Sequence, residues 1–220
     1  MPSQETEESL MARISTAVCK LCRREGMKLF LKGERCNTKN CAAEKKAYPP
    51  GQHRMTRTKP SEYRLRLREK QRARRIYGIN ERQFRRYFEI AETQSGSTGE
   101  NLLKILESRL DNVVFRMGFA PSRSTARQLV RHGHILVNGK KVNIPSSLVS
   151  GNAQIAVEDK SKSNAVIKES VGKTKERANI QSWLEVNLDN LTGKVLHLPS
   201  KDEMASPLQE QLIVEFYSGK

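Results

Sequence analysis

Leu103, Leu106, Leu110, Val113, Val114 and Met117 fall at i, i+3, i+7, i+10, i+11 and i+14, a spacing that puts one apolar stripe on a helix. Gly118 follows and predicts its end. Pro121 and Ser122 then signal a second helix, with Ala126, Leu129 and Val130 as its short apolar face and Gly133 placed for a left-handed cap. The apolar runs 135–137 and 142–144 flank Asn138-Gly139, the pair favoured in a two-residue hairpin turn. Residues 109–159 thus predict a helix-turn-helix running into a hairpin, closed by a turn at 150–152 and a strand at 154–157.

Upstream, Pro60-Ser61 opens a helix through Tyr63, Leu65, Leu67, Ile76 and Tyr77, ended by Gly78. Asn80 caps the next, whose buried side is Phe84, Tyr87, Phe88 and Ala91. Residues 94–99, QSGSTG, read as the clearest linker. Downstream, the polar and basic residues 160–182 predict a mobile loop plus a short helix, and 183–186, 193–198 and 212–217 predict strands. The run at 212–214 is too apolar for an exposed edge and must pack on something.

Charge changes what these elements are for. Lys and Arg number 40 against 24 acidic side chains, a formal net charge of +16, while hydrophobic residues make up only 36% and there is one Trp. The excess points to a polyanion. Residues 54–86 alone carry 13 basic and 3 acidic side chains, and the last stretch, 183–220, is acidic. No run approaches the ~20 apolar residues of a spanning helix, so a membrane partner is not expected. The first ten residues are acidic and resemble neither signal nor transit peptide; they are expected to be disordered, and the protein to stay where it is made.

The four cysteines form the pattern Cys19-x2-Cys22-x13-Cys36-x4-Cys41. Two hooks joined by a loop can bring four thiolates onto one structural Zn²⁺, leaving no open position for catalysis. Disulfides, free thiols and an iron–sulfur cluster are the other readings of the pattern. Lys20, Arg23, Arg24, Lys39 and Lys45 would offset the two negative charges of such a centre and are expected to depress the thiol pKa values.

Candidate RNA-contacting groups fall in three sets. His53, Arg54, Arg57 and Lys59 follow the helix-breaking Tyr48-Pro49-Pro50-Gly51. The basic helix supplies Arg64, Arg68, Lys70, Arg72, Arg74 and Arg75, and the next one Arg82, Arg85 and Arg86; with so few acids among them, RNA contact is a better reading than a merely solvated face. The helix-turn-helix and hairpin supply Arg123, Arg127, Gln128, Arg131, His132, His134, Asn138, Lys140 and Lys141, a set of cations and amides suited to phosphates, 2′-hydroxyls and unpaired base edges.

RLDNVVFRMGF at 109–119 and SRSTARQLVRHGHILVNGKKVNIPS at 122–146 resemble the RNA-binding module named after ribosomal protein number four of the small subunit. That module also occurs on RNA-modifying enzymes and tRNA synthetases. The flanks resemble the ribosomal protein itself: the four-cysteine hook, PPGQH, LREKQRARRIYG, QFRRYF, WLEV and EQLIVEFYS. On these residues the chain is identified as a member of the bacterial-type family.

The resemblance implies an α+β fold. A largely helical first domain with a four-cysteine zinc hook covers residues 11–94, and an inserted RNA-binding domain with an antiparallel sheet covers 95–195, its module lying at 109–170. A C-terminal segment, 196–220, returns to the first domain, and the zinc ligands of zinc-bearing members match Cys19, Cys22, Cys36 and Cys41. It further implies a non-enzymatic, primary binder of 16S-type rRNA in the cytoplasmic ribosome that nucleates assembly of the subunit body. Expected partners are small-subunit proteins number five, by contact, and number twelve, in decoding accuracy, with mRNA near the entry channel and no homo-oligomer.

Two rival functions remain to be separated. An RNA-modifying enzyme would need roughly 150 further residues for a catalytic domain, and residues 160–220 hold no GxGxxG, P-loop or HExxH motif. A DNA-binding zinc regulator would be expected to dimerise, and no heptad supports that.

Overall fold

Helices in this chain start and stop where side chains or glycines take over orphaned backbone groups. In the computed structural model, which describes residues 17–51, 59, 61–177, 180–204 and 207–219, the Oγ of Ser61 and of Ser122 and the Oδ1 of Asn80 each accept a first-turn amide, from Arg64, Thr125 and Gln83. Each such cap contributes about 1 kcal/mol. Gly26 and Gly78, at φ 70° and 64°, end their helices in the left-handed region.

The chain divides into two compact units, Met1–Gly99 with Pro207–Lys220, and Glu100–Ser206. The first contains α1 (Val18–Glu25), a 3-10 turn (Gly33–Asn37), α2 (Ala42–Lys45), α3 (Glu62–Tyr77), α4 (Glu81–Thr93) and, from the far end of the chain, α9 (Glu210–Ser218). Its core is Ala73, Ile76, Tyr77, Phe84, Tyr87, Phe88, Ala91 and Ile213. α9 packs on α3, and Tyr217 stacks on Phe88 with ring centroids 4.6 Å apart.

The segment read as a strand at 212–217 is therefore a helix. Ile213, Phe216 and Tyr217 recur at three and four residues and share one face; the first is fully buried, and Phe216 lies 4.3 Å beneath the Lys70 ammonium. The expectation that it must pack on something is met by α3. The linker is also shorter than read, since α5 (Thr98–Glu107) already begins at Thr98.

The second unit holds most of α5, then α6 (Leu110–Arg116), α7 (Arg123–Arg131), β1 (Ile135–Val137), β2 (Lys140–Lys141), β3 (Gln154–Val157), α8 (Ala165–Arg177), β4 (Leu184–Asn187) and β5 (Thr192–Val195). The strands form one antiparallel sheet in the order β2-β1-β3-β5-β4. Ile135, Ile155, Val157, Leu184 and Val195 from it, Leu110, Val113, Val114 and Met117 from α6 and its end, and Trp183 make one core.

Three local readings change here. The apolar stripe at 103–117 is carried by two helices, because Arg109 is extended (φ −63°, ψ 137°) between them. Leu110 and Asp111 donate to the carbonyls of Ser147 and Pro145 at 2.8 and 3.1 Å, and Val149 donates to Ser108 at 2.8 Å. These bonds to a distant loop replace those an unbroken helix would make. In the hairpin, Asn138 and Gly139 both have left-handed φ, 50° and 75°, as a primed turn needs, yet the second strand is Lys140–Lys141, and Ile144 is 58% exposed. Lastly, the helix expected within 160–182 takes up more of it than read: a 3-10 turn (Asp159–Ser161) leads into the 13-residue α8, which buries Ile167 and Val171.

Candidate nucleic-acid interface

α3 carries its cations on every side, so a few well-placed carboxylates decide which of them face outward. Glu25, its side chain 1% accessible, receives both Arg68 and Arg75. Glu81 receives Lys70 at 2.7 Å, Arg74 at 3.0 Å and the Tyr217 hydroxyl at 2.9 Å. Glu69 pairs with Arg72 at 2.5 Å and accepts the Gln209 amide at 2.9 Å, and Arg66 reaches Glu215 at 2.8 Å. Although burial opposes ionisation of Glu81, hydrogen bonds from Lys70 and Tyr217 with the nearby cations hold its carboxyl below the usual range. Burial first, and the adjoining Glu81, push the Tyr217 hydroxyl far up.

The cationic run of α3 thus doubles as an internal ionic scaffold. Arg64, Arg82, Arg85 and Arg86 are exposed, with Arg85 in a surface pair with Glu89 at 3.2 Å. Lys59 is exposed, and His53, Arg54 and Arg57 lie outside the described residues, as does the acidic extension.

A second scaffold underlies the helix-turn-helix. Glu107, buried, takes a two-pronged bond from Arg116 at 2.7 and 3.0 Å and the Asn112 amide at 2.7 Å. Asn112 Oδ1 accepts from Arg123 at 2.7 Å, and the Arg123 guanidinium lies 4.6 Å over the Phe115 ring. Asp111 is held by Arg109 at 2.6 and 3.0 Å, with Arg127 at 4.0 Å. Satisfied on nearly every lone pair, this network holds α6 and α7 in one arrangement.

α7 presents the exposed Gln128 and Arg131, with the exposed His132 at its C-cap, and the hairpin presents the exposed Asn138, Lys140 and Lys141. Three side chains of the predicted set also brace the surface. His134 Nδ1 lies 2.7 Å from Ser161 Oγ, Asn138 Oδ1 accepts the Gln154 amide at 2.8 Å, and Lys141 bridges to Glu158 at 3.2 Å.

The four cysteines carry free thiols, Cys22, Cys36 and Cys41 buried and Cys19 half-buried. They are near enough for the other three to act electrostatically on Cys22. At Cys22 and Cys36 burial first, then the neighbouring thiols, push the thiol pKa up, and Lys28 is only a small counterweight at Cys36. Among the described residues no group of three or more His, Cys, Asp or Glu side chains is set to hold a metal. The donors nevertheless suit a thiolate centre, since backbone amides of Leu29 and Lys32 donate to the sulfurs of Cys22 and Cys36, the latter at 3.4 Å. Beside Cys19 is a hollow lined by Lys20, Arg23, Arg35, Thr38, Asn40, Ala42, Lys45 and Lys46. Arg35 and Lys46 escaped the sequence reading because they lie in or beside the cysteine spacing, where the metal pattern accounts for the local chemistry.

The carboxylates that sort the cations were not singled out either. Scattered Glu residues in a basic helix give no sequence signal of which guanidinium each will hold. No helix among the described residues is long and apolar enough to cross a membrane.

Comparison with known proteins covers 94% of the chain. Residues 13–107 match the model described as the ribosomal protein S4/S9 N-terminal domain, and 108–155 match the S4 domain. The chain is 58% identical to small ribosomal subunit protein uS4A of Alkaliphilus oremlandii over 94% of its own length and 100% of the relative's. It is 57% identical, at the same coverage, to small ribosomal subunit protein uS4 of Pelotomaculum thermopropionicum and of Thermodesulfovibrio yellowstonii.

Proposed function

Because this chain belongs to the uS4 family of small ribosomal subunit proteins, we propose that it is a structural constituent of the small subunit that binds 16S-type rRNA and makes or breaks no bond. The observation that carries this reading is the exposed set Gln128, Arg131, His132, Lys140 and Lys141, the first three presented by a helix that a buried ionic network braces. A braced backbone of this kind presents its cations to a phosphate backbone in a fixed spacing, and the amide and imidazole can reach base edges. Of the two units, the first presents Arg64, Arg82, Arg85 and Arg86, so each offers its own cationic surface to RNA.

In this reading the protein acts early, nucleating the body of the subunit in the cytoplasmic ribosome. It then contacts small-subunit protein number five near the mRNA entry and supports decoding accuracy with protein number twelve. Cys19, Cys22, Cys36 and Cys41 would hold one structural Zn²⁺, a reading supported by the two amide-to-sulfur hydrogen bonds and by the neighbouring Lys and Arg side chains. The ion would supply the positive charge that lets four crowded thiols ionise together.

The test is binding of the purified full chain to a 16S rRNA transcript of Alkaliphilus oremlandii across a salt series. If about ten phosphates are neutralised, log affinity falls with log salt at a slope of roughly −7 to −9, and Arg131→Ala shallows that slope by about 1. The same preparation should carry one zinc per chain. A folded protein that ignores the transcript at low salt defeats the rRNA reading, and four freely titrating thiols with no bound zinc defeat the metal reading.

A further inference from the structure

Four non-glycine residues among those described have left-handed φ: Phe30, Asn138, Asn152 and Leu191. The two asparagines are the residue type that tolerates this region, and both sit in turns. Leu191 is buried in the core of the second unit, where packing holds it. Phe30 alone of the four puts an apolar ring into solvent, at φ 52° and 47% exposed.

What imposes that conformation is the cysteine hook. Leu29 donates its amide to the Cys22 sulfur, and Lys32 donates to the Cys36 sulfur at 3.4 Å. Leu29 is 2% exposed, so its side chain anchors the loop inward. With both flanks of the Phe30-Leu31 dipeptide held, the chain turns through the left-handed region at Phe30, whose ring is carried outward. Such strain persists where the surroundings over-determine it, and its usual place is a ligand clamp or functional site.

The geometry points to Phe30 as a stacking platform for one unpaired base of the bound RNA, a contact that rests on the rRNA-binding reading and adds a base to a surface otherwise made of cations. The loop is flanked by charge, with Lys28, paired with Glu44 at 2.5 Å, on one side and Lys32 and Arg35, with Glu34 between them, on the other. An apolar protein surface seated on Phe30 would have to desolvate these charges. A nucleotide matches both features, offering a π face to the ring and a phosphate to the ammonium or guanidinium beside it.

The test compares Phe30→Ala, Phe30→Gly, Phe30→Leu and Phe30→Tyr in the full chain, using the same 16S transcript. Glycine accepts φ 52° without strain, so Phe30→Gly keeps or raises the urea midpoint, a control that separates folding from binding. Stacking predicts that the Ala, Gly and Leu variants bind about 5- to 100-fold more weakly at an unchanged salt slope while Tyr binds like the parent. Parental affinity in the Ala or Leu variant, or loss in the Tyr variant as well, would overturn the assignment. A parent chain that fails to bind the transcript instead refutes the rRNA reading itself.

Discussion

Single carboxylates do much of the sorting in this molecule. Glu25 is almost inaccessible and is matched by two guanidiniums, so losing both would leave a buried charge unpaired, typically at about 3–5 kcal/mol. Glu203 illustrates a more exposed case. It accepts from the Ser200 amide at 2.9 Å, from the Ser200 and Ser182 hydroxyls at 2.9 Å, and lies 3.0 Å from His197 Nε2. The Ser200 amide first, then the side-chain donors, pull its carboxyl down to about 2. A carboxyl whose folded pKa is depressed contributes stability above its unfolded value of 4.5 and loses it as pH falls toward 2. NMR titration of the Glu203 carboxyl should give a midpoint near 2, and the stability gap between parent and Glu203→Gln should close over that window. A midpoint near 4.5 would show that the four donors do not hold the ionised form. None of this was readable from sequence, where Glu203 is one acid in an acidic tail.

Elements were legible where their determinants are local. The caps at Ser61, Asn80 and Ser122, the Asn-Gly turn and the aromatic face of α4 all depend on neighbours within four residues. Each is found where the pattern puts it. Elements decided by distant partners were not legible. The break at Arg109 exists because the 145–149 loop takes its flanking amides, and a short apolar run at 212–217 looks the same as strand or helix until α3 is beside it. The end of α6 joins both kinds of determinant. Gly118, at φ +82°, accepts from Ser170 at 2.8 Å and Thr174 at 3.3 Å on α8, and a Cβ there would stand 2.5 Å from the Thr174 side chain. Gly118→Ala should therefore cost the ~1–2 kcal/mol of a left-handed L residue and more for displacing Thr174. The urea midpoint followed through the buried Trp183 reads this directly. An unchanged midpoint would mean that α8 is not fixed against the end of α6.

At the scale of the molecule, the charge excess announced a polyanionic partner, but a net charge of +16 says nothing about how many cations are already engaged at home. Much of α3 is, and part of that engagement comes from the other end of the chain: Glu215 holds Arg66, the Gln209 amide holds Glu69, and Tyr217 completes Glu81. The first unit therefore joins residues far apart in sequence, and its closure must wait for contacts 136 to 149 residues apart. Removing residues 207–220 should leave α3 and α4 with an uncovered apolar face and an incomplete ionic scaffold. Their amide protection against hydrogen exchange should fall by orders of magnitude, while amides of α6, α7 and the sheet in the second unit keep theirs. RNA affinity of the truncated chain should drop less steeply than its first-unit protection, because the cations of α7 and the hairpin stay in place. Full protection of α3 and α4 in the truncated chain would show that α9 decorates a unit already complete. Loss of protection throughout would instead show that the two units do not hold their structure independently.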